Sequence, residues 1–282
     1  MDRSIRKYGA IFLLPTIIAF IIAFLIPFLS GLYLSFTRFT TVSNAEFVGL
    51  QNYLTVLSGG SDFLSALWFT IRFTVVSVIL VNLIAFFLAW LLTRGLRGTN
   101  FFRTVFFVPN LIGGIVLGYI WQLIINGLLS GIGVDITFKA EYGFWGLVAL
   151  MNWQMIGYMM IIYIAGLQNI PTEMNEVAAI DGANGWQTLR HITVPLVMPS
   201  ITICTFLTLT NAFKMFDQNY ALTAGAPGKE TEMLALNIFN TFYGSVGNEG
   251  VGQAKAVLFF LLAAALAGIQ LFFTRRGEKK AL

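Results

Sequence analysis

The chain has 282 residues, of which 57% are hydrophobic and 11% are charged, and its mean hydropathy is +0.79. A soluble core of this length needs far less apolar sequence, so the composition excludes a soluble globular protein and predicts a polytopic membrane protein. The single cysteine, Cys204, excludes an intrachain disulfide. The net charge of +4 requires no nucleic acid, because the excess basic residues form short clusters beside apolar runs, where anionic lipid attracts them.

Six apolar runs are long enough to cross about 30 Å of hydrocarbon as helices. These predicted spans, one to six, are Tyr8–Leu34, Phe73–Leu92, Thr104–Ile125, Phe144–Leu167, Val197–Phe216 and Ala256–Phe273. The first run is too long for a signal peptide and lacks a small-residue cleavage site, so it is expected to remain as an anchor, with residue 1 as the mature start. The sequence therefore predicts an all-α membrane protein with six transmembrane helices.

The distribution of basic residues predicts the orientation, because Lys and Arg favour the cytoplasmic side. With both termini inside, the cytoplasmic segments hold Arg3, Arg6, Lys7, Arg94, Arg97, Arg103, Arg190, Arg275, Arg276, Lys279 and Lys280. The outer segments hold only Arg38, Arg72, Lys139, Lys214, Lys229 and Lys255. Both termini, and the loop 168–199 between spans four and five, are therefore predicted to be cytoplasmic.

The loop 168–199 carries the signals of two short helices outside the bilayer. Pro171 suits the first turn of a helix, and Asp181-Gly182 is expected to end it, because Gly adopts the left-handed conformation of a C-terminal cap. Asn184 with Gln187 three residues later predicts a capping box for a second helix. That helix is expected to end near Val194, because Pro195 follows.

Two segments invite a catalytic interpretation and do not support it. "GAPGKET" at 225–231 has the wrong glycine spacing for a phosphate loop, and Lys229 is followed by Glu230 instead of Ser or Thr, so a turn is predicted. His191 is the only histidine and has no partners for a metal site or a nucleophilic triad. It is expected to be solvated or to lie at an interface.

Polar side chains within the spans are expected to face the bundle interior or a cavity, because hydrocarbon does not solvate them. They are Asn82, Asn110, Gln122, Asn152, Gln154, Tyr158, Tyr163, Asn211 and Lys214. Amides and phenols suit a hydroxyl-rich ligand, although hydrogen bonding between helices explains them equally well. The pair Gly114 and Gly118 is typical of a close helix contact.

The loop 168–199 also carries a family resemblance. Glu176, Ala178, Gly182 and the segment Ile192-x-Val194-Pro195 resemble the EAA loop of binding-protein-dependent ABC importer permeases. The family pattern is E-A-A, three residues, G, nine residues and I-x-L-P, from which this chain departs at Val177 and Val194. The string "EVAAIDGA" is most similar to the carbohydrate branch, of the maltose and glycerol-phosphate type. Further matching strings are "FVGLQNY" at 47–53, "LRGTNFFRTVFFVPN" at 96–110 and "FDQNYALTAGAPG" at 216–228.

The resemblance implies that the loop couples the chain to an ATPase. Glu176, Ala178, Gly182, Ile192 and Pro195 are the implied coupling residues. Met174, Val177 and Ala178 are expected to form an apolar ridge, with a glutamate beside it that pairs with an arginine of the partner. The alternative is a capped surface loop that contacts nothing.

The resemblance further implies one transport domain over 1–282, with a core at 66–274 and the coupling loop at 168–199. It implies a permease subunit of an ATP-driven importer for a sugar or oligosaccharide, in a bacterial or archaeal plasma membrane. The implied partners are a second permease, two ATPase subunits, an extracytoplasmic binding protein and membrane lipid, but no nucleic acid. No cofactor is expected in this chain, since ATP and Mg belong to the ATPase. The substrate-pathway residues, on the helices that line the site in maltose-type relatives, are Asn152, Gln154, Tyr158, Asn211 and Lys214.

Two alternatives remain open at this point. The chain could be a membrane-embedded enzyme or a lone channel that uses the polar span residues, although neither needs such a loop. It could also be an importer permease for phosphate, an amino acid or a peptide.

Overall fold

The computed structural model describes residues 13–58, 62–244 and 246–281, and most of these are helical. In chain order the helices are α1 Leu13–Leu34, α2 Gln51–Leu57, α3 Phe63–Leu92, α4 Thr99–Phe107, α5 Gly114–Leu129, α6 Ala140–Gln168, α7 Thr172–Ile180, α8 Gly185–Leu196, α9 Met198–Phe213, α10 Asp217–Leu222, α11 Leu234–Gly244 and α12 Glu249–Ala281. Two short strands, β1 Thr37–Arg38 and β2 Glu46–Phe47, pair antiparallel between α1 and α2.

Five of the described helices are long and apolar enough to cross a membrane, and the bent pair α8 and α9 provides a sixth candidate. The five are α1, α3, α5 with its extension to Ile132, α6 and the part of α12 up to Phe272. The prediction of an all-α polytopic protein is confirmed. The predicted start of span one at Tyr8 lies outside the described residues.

Predicted span three, Thr104–Ile125, was wrong as one continuous helix. The structure ends α4 at Phe107, passes through a 3-10 turn at Val108–Leu111, and begins α5 only at Gly114. Pro109 lacks the amide that would continue the helical ladder, and Gly113 takes an extended conformation before α5. The apolar run is therefore interrupted within its own length.

Predicted span five, Val197–Phe216, was also wrong in its bounds. The helix α9 covers only Met198–Phe213 and makes an angle of 70° with α8. At 1.5 Å per residue α9 is about 24 Å long, which is shorter than the hydrocarbon core. The chain leaves helical geometry at Lys214 and begins α10 at Asp217.

Three other predicted spans start later in the sequence than the corresponding helices of the structure. α3 begins at Phe63 instead of Phe73, because Arg72 does not interrupt it: its guanidinium lies 5.2 Å from the Phe144 ring centroid. α6 and α12 likewise begin before the predicted starts at Phe144 and Ala256. The helix α11 was not predicted, because it lies in a segment that we assigned to the outer loop.

The chain divides into two compact units, and the prediction of a single domain over 1–282 stays a prediction. The first unit comprises the described residues up to Phe63 together with Ile238–Phe260. Within it α1 packs on α12, where the Phe28 and Phe260 rings meet edge to face with centroids 5.1 Å apart. Gly31 of α1 lies against the side-chain amide of Gln253 on α12, so a larger residue there would displace that amide.

The second unit, residues 64–237 and the chain after Phe260, is organised around α6. α6 is the most buried span, with 67% of its apolar window inside the protein. Gly157 of α6 lies against the Phe106 backbone carbonyl, so that α4 packs directly on the helix. Tyr163 of α6 donates a hydrogen bond of 2.7 Å to the side-chain oxygen of Asn82 on α3, which connects these two spans.

Candidate functional site

A polar cavity of about 420 Å³ lies beside α6 in the second unit. It is lined by Asn110, Met151, Gln154, Met155, Asn211, Lys214, Met215, Phe216, Asp217 and Gln218. Its walls include the 3-10 turn after α4 and the non-helical residues between α9 and α10. Irregular backbone at membrane depth is tolerated where it lines a cavity or is buried in protein, and both helix breaks contribute residues to this cavity.

Hydrogen bonds between side chains and backbone hold the two breaks against α6. The side-chain amide of Gln218, at the start of α10, donates to the side-chain oxygen Oε1 of Gln154 at 2.8 Å. Gln154 in turn donates to the backbone carbonyl of Ile112, which follows the first break, at 3.4 Å. Gln154 is buried, so it fixes the cavity wall and offers little of its surface.

The helix α10 is positioned by the paired glycines of α5. An added Cβ would lie 2.7 Å from the Asp217 Cβ at Gly114 and 2.7 Å from the Ala221 Cβ at Gly118. The prediction that this pair permits close helix contact is confirmed. Because the contact aligns α10 with α5, it also places Asp217 and Gln218 at the cavity.

Three of the five predicted pathway residues line this cavity: Gln154, Asn211 and Lys214. Asn152 does not line it; the residue is buried, donates to the Val148 carbonyl of its own helix at 2.8 Å, and its side-chain oxygen has no partner among the described residues. Tyr158 packs edge to face on Phe107, with ring centroids 6.5 Å apart. The assignment of a pathway role to any of these residues remains a prediction.

Lys214 and Asp217 do not share one helix face, because α9 ends at Phe213 and α10 begins at Asp217. Lys214 is exposed and lines the cavity together with Asp217. Sequence reasoning missed Asp217 and Gln218, since both follow the predicted end of span five. Their signal was available in the string "FDQNYALTAGAPG", whose polar residues directly follow an apolar run.

The loop between α6 and α9 forms the predicted helix-turn-helix. Gly182 has φ +76°, a left-handed conformation that glycine adopts without strain, directly after α7. The predicted capping box is present: Gln187 N–H donates to Asn184 Oδ1 at 2.9 Å, and Asn184 N–H donates to Gln187 Oε1 at 2.8 Å. The two helices are therefore fixed relative to each other by a tight turn and a reciprocal cap.

The predicted end of the second loop helix near Val194 was wrong. α8 passes through a π-helical turn at Leu189–Thr193, continues through Pro195 to Leu196, and bends at Val197. A π turn changes the hydrogen-bond register before Pro195, which lets the helix accommodate a residue without an amide proton. Ile192 and Pro195 are half-buried in this segment.

The exposed face of the loop is apolar with acidic neighbours. Met174 and Val177 are exposed as predicted, but Ala178 is only 4% exposed and does not belong to the ridge. Glu176 is exposed on the same helix. Ile180 is 84% exposed and Trp186 is 68% exposed, and sequence reasoning missed both because it treated the segment as a set of caps. Two exposed large apolar residues on a compact projection are typical of a protein contact.

The "GAPGKET" segment forms the predicted turn. Buried Thr231 donates to the Ala226 carbonyl at 2.7 Å and to the Thr223 hydroxyl at 3.0 Å. Buried Asn219 donates to the Thr231 carbonyl at 2.8 Å. The backbone amides that a phosphate loop would leave free are also bonded within the turn: Ala226 N–H donates to the Thr223 carbonyl at 2.8 Å and Glu230 N–H to the Pro227 carbonyl at 2.8 Å. Within the residues that the structure describes, no group of three or more His, Cys, Asp or Glu could hold a metal ion.

The helical bundle with a polar cavity at two helix breaks, joined to an exposed rigid loop, defines a membrane transport subunit. Residues 82–279 match the family described as "Binding-protein-dependent transport system inner membrane component", and the chain belongs to this family. It is therefore a multi-pass membrane protein and the permease subunit of an ABC importer. The alternatives of a membrane-embedded enzyme and a lone channel are set aside.

Individual relatives resemble the chain over nearly its whole length. The "Probable starch degradation products transport system permease protein AmyD" of Thermoanaerobacterium thermosulfurigenes is 44% identical over 95% of this chain and 94% of that protein. The "Trehalose/maltose transport system permease protein MalF" of Thermococcus litoralis is 30% identical over 94% and 92%. A solved bacterial ABC transporter involved in the import of the acidic polysaccharide alginate shares the fold, with a TM-score of 0.81, 21% identity, and coverage of 97% and 98%.

Proposed function

We propose that the chain forms the translocation pathway for a sugar or oligosaccharide in an ATP-driven importer. The observation that carries the proposal is the cavity at the two helix breaks. Asn211 and Gln218 bring amides to it, Lys214 an ammonium group and Asp217 a carboxylate. Such groups both donate to and accept from hydroxyl groups. The names of the similar permeases, which refer to starch degradation products and to trehalose and maltose, support the same cargo class.

The aromatic wall of the cavity suits the same cargo. Phe216 lines the cavity, and its ring stacks on that of Tyr220 with centroids 5.8 Å apart and an interplanar angle of 17°. The stacked pair presents an apolar face beside the polar groups. Sugars offer C–H faces as well as hydroxyls, so this combination binds both surfaces of a ring.

The remaining parts of the machine are proposed from the family. A second, homologous permease completes the pathway, two ATPase subunits bind ATP and Mg and grip the loop 168–199, and an extracytoplasmic binding protein delivers the cargo. Met174, Val177, Ile180 and Trp186 supply apolar contact to the ATPase, and Glu176 meets an arginine there. Both termini and this loop are cytoplasmic in the proposal. Arg3, Arg6 and Lys7, which support it, lie outside the described residues.

Alternating access follows from the connection of the loop to α9. Closure of the ATPase pair moves the two loops together, and the rigid turn at Gly182 transmits the movement instead of absorbing it. Because α8 continues into α9 through the bend at Val197, the movement reaches Asn211 and Lys214 at the far end of α9. The cavity then changes the side from which it is open.

Uptake by proteoliposomes that contain the complete transporter tests this proposal. We expect labelled maltooligosaccharides to be transported, and Asn211→Ala to raise the apparent KM about tenfold, which corresponds to about 1.4 kcal/mol. Asn152→Ala is the matched control, because Asn152 is an amide on α6 that does not line the cavity. Transport of phosphate, amino acids or peptides without any sugar would contradict the cargo class. Equal KM values for the two variants would contradict the site.

A further inference from the structure

The short helix α2 presents a row of leucines to its surroundings. Leu50 at its N-cap and Leu54 and Leu57 within it are 62%, 68% and 54% exposed. Helical spacing of about 100° per residue places the three within a narrow stripe. Gln51 and Thr55, also exposed, lie beside the stripe, whereas Asn52 and Val56 are buried on the opposite side. The helix thus has an apolar edge, a polar edge and an inner face.

Hydrogen bonds hold α2 beside the C-terminal end of α1. Asn52 donates to the backbone carbonyls of Ser35 and Thr37, both at 2.9 Å, and the Tyr53 hydroxyl lies 2.6 Å from the Ser35 hydroxyl. α1 is a candidate span that ends at Leu34, with none of its apolar window buried inside the protein. The helix α2 is therefore held where α1 leaves the hydrocarbon.

The start of α12 marks the same level independently. Gly250 lies so close to the Thr37 carbonyl that an added Cβ would collide with it, and α12 is a candidate span from Glu249 onward. One span ends and another begins beside the residues that anchor α2. Tyr33, exposed at the end of α1, has the amphipathic ring that favours a membrane interface.

We propose that the leucine stripe of α2 lies in the phospholipid interface of the membrane, between headgroups and acyl chains. On α1, Leu29 and Leu32 are also exposed directly before the span ends. Gln51 and Thr55 then face the headgroups and water. An amphipathic helix parallel to the surface satisfies both edges at once, and neither water nor hydrocarbon alone does so. In the proposed orientation this is the outer leaflet.

Spin labelling of the full-length chain in nanodiscs of phosphatidylethanolamine and phosphatidylglycerol tests the proposal. In a Cys204→Ser background, nitroxides are attached to Leu54→Cys and to Thr55→Cys as the matched control. Collision with oxygen, which concentrates in lipid, is compared with collision with a neutral nickel chelate, which stays in water. We expect the ratio of oxygen to nickel accessibility to be severalfold higher at position 54 than at position 55.

Equal nickel accessibility at the two positions would overturn the proposal, because the leucines would then face water. Protection of position 54 from both probes would also overturn it, since a protein surface would then cover the stripe. Leu50→Cys and Leu57→Cys repeat the measurement on the same stripe if Leu54→Cys does not assemble. Sugar uptake is not part of the readout, so the result is independent of the proposed cargo.

Discussion

Gly118 and Gly127 lie on the same helix, α5, but differ in the space that surrounds them. An added Cβ at Gly118 would lie 2.7 Å from the Ala221 Cβ, whereas nothing lies within 4 Å of one at Gly127. We expect Gly118→Ala to destabilise the protein by about 1–3 kcal/mol through overpacking of α5 on α10. Gly127→Ala should stabilise it by up to about 1 kcal/mol, because alanine loses less backbone entropy in a helix.

The two glycine variants are compared by their midpoint temperatures of thermal unfolding in detergent. Size-exclusion chromatography measures the folded fraction at each temperature. A lower midpoint for Gly118→Ala and an unchanged or higher one for Gly127→Ala is the expected pattern. Indistinguishable midpoints would mean that α5 and α10 can separate at no cost. The spacing of Gly114 and Gly118 predicted a contact from sequence, but the identity of the partner helix depends on a break that periodicity does not reveal.

Lys214 brings a positive charge to the cavity. It is exposed at the end of α9 and lines the cavity, so its ammonium group is available to a ligand. We expect Lys214→Met, which keeps the length of the side chain and removes the charge, to raise the apparent KM for transported sugar about tenfold. Selective loss of an acidic sugar would identify the cargo as anionic. An unchanged KM, in a preparation where Asn211→Ala raises it, would make Lys214 a structural residue.

The loop 168–199 illustrates what sequence predicts about an element. Asn184, Gln187 and Gly182 act through local chemistry, so the capping box and the left-handed turn were predicted correctly. The end of α8 was not, because Pro195 stops an ordinary α-helix but a π turn precedes it here. The exposure of Ile180 and the burial of Ala178 depend on how α7 packs, which composition does not reveal.

Coupling at this loop is tested by a pair of glycine variants. Gly182→Val forces a branched residue into a left-handed conformation, at a cost of about 1–2 kcal/mol, whereas Gly185→Ala adds a methyl group at a helix start with nothing within 4 Å. We expect Gly182→Val to abolish uptake in a protein that still inserts, and Gly185→Ala to retain uptake. Wild-type uptake by Gly182→Val would show that the turn need not be rigid.

The charge on the loop is tested separately. Glu176 is exposed on α7 beside Val177, so its carboxylate is free to meet a cationic partner. We expect Glu176→Ala to abolish uptake while the chain remains in the membrane, because a charge-assisted pair with the ATPase is lost. Normal uptake together with normal ATPase co-purification would contradict the coupling role.

At the scale of the whole molecule, apolar length predicted a helical protein with several spans, of which the structure has five candidates and a sixth in the bent pair, but it did not predict the continuity of the spans. The apolar runs that contain Pro109 and Lys214 include two helix breaks that hydropathy does not reveal. Hydropathy indicates whether a segment prefers lipid or water, and not its backbone geometry. The same limitation explains why Asn152 and Tyr158 were grouped with Asn211. A helix presents its polar residues in different directions, and only packing decides which of them meet.

The proposed orientation is open to direct labelling. Gln187 of α8 and Lys229 after α10 are both exposed, so a cysteine at either position is reachable from its own side of the membrane. In a Cys204→Ser background, an impermeant maleimide added outside intact cells should modify position 229 and miss position 187. The physical reason is the excess of Lys and Arg in the segments assigned to the cytoplasm. The reverse pattern would overturn the orientation and the docking of an ATPase on the loop.

Because α8 and α9 meet at an angle of 70°, α8 can act as a lever arm that rotates α9. At 1.5 Å per residue the arm α8 is about 18 Å long, so a rotation of about 10° at Val197 swings its tip through about 3 Å. A displacement of the tip of α8 therefore corresponds to a rotation about the bend at Val197. In the proposed importer, a displacement of about 3 Å at the tip of α8 is therefore enough to turn α9.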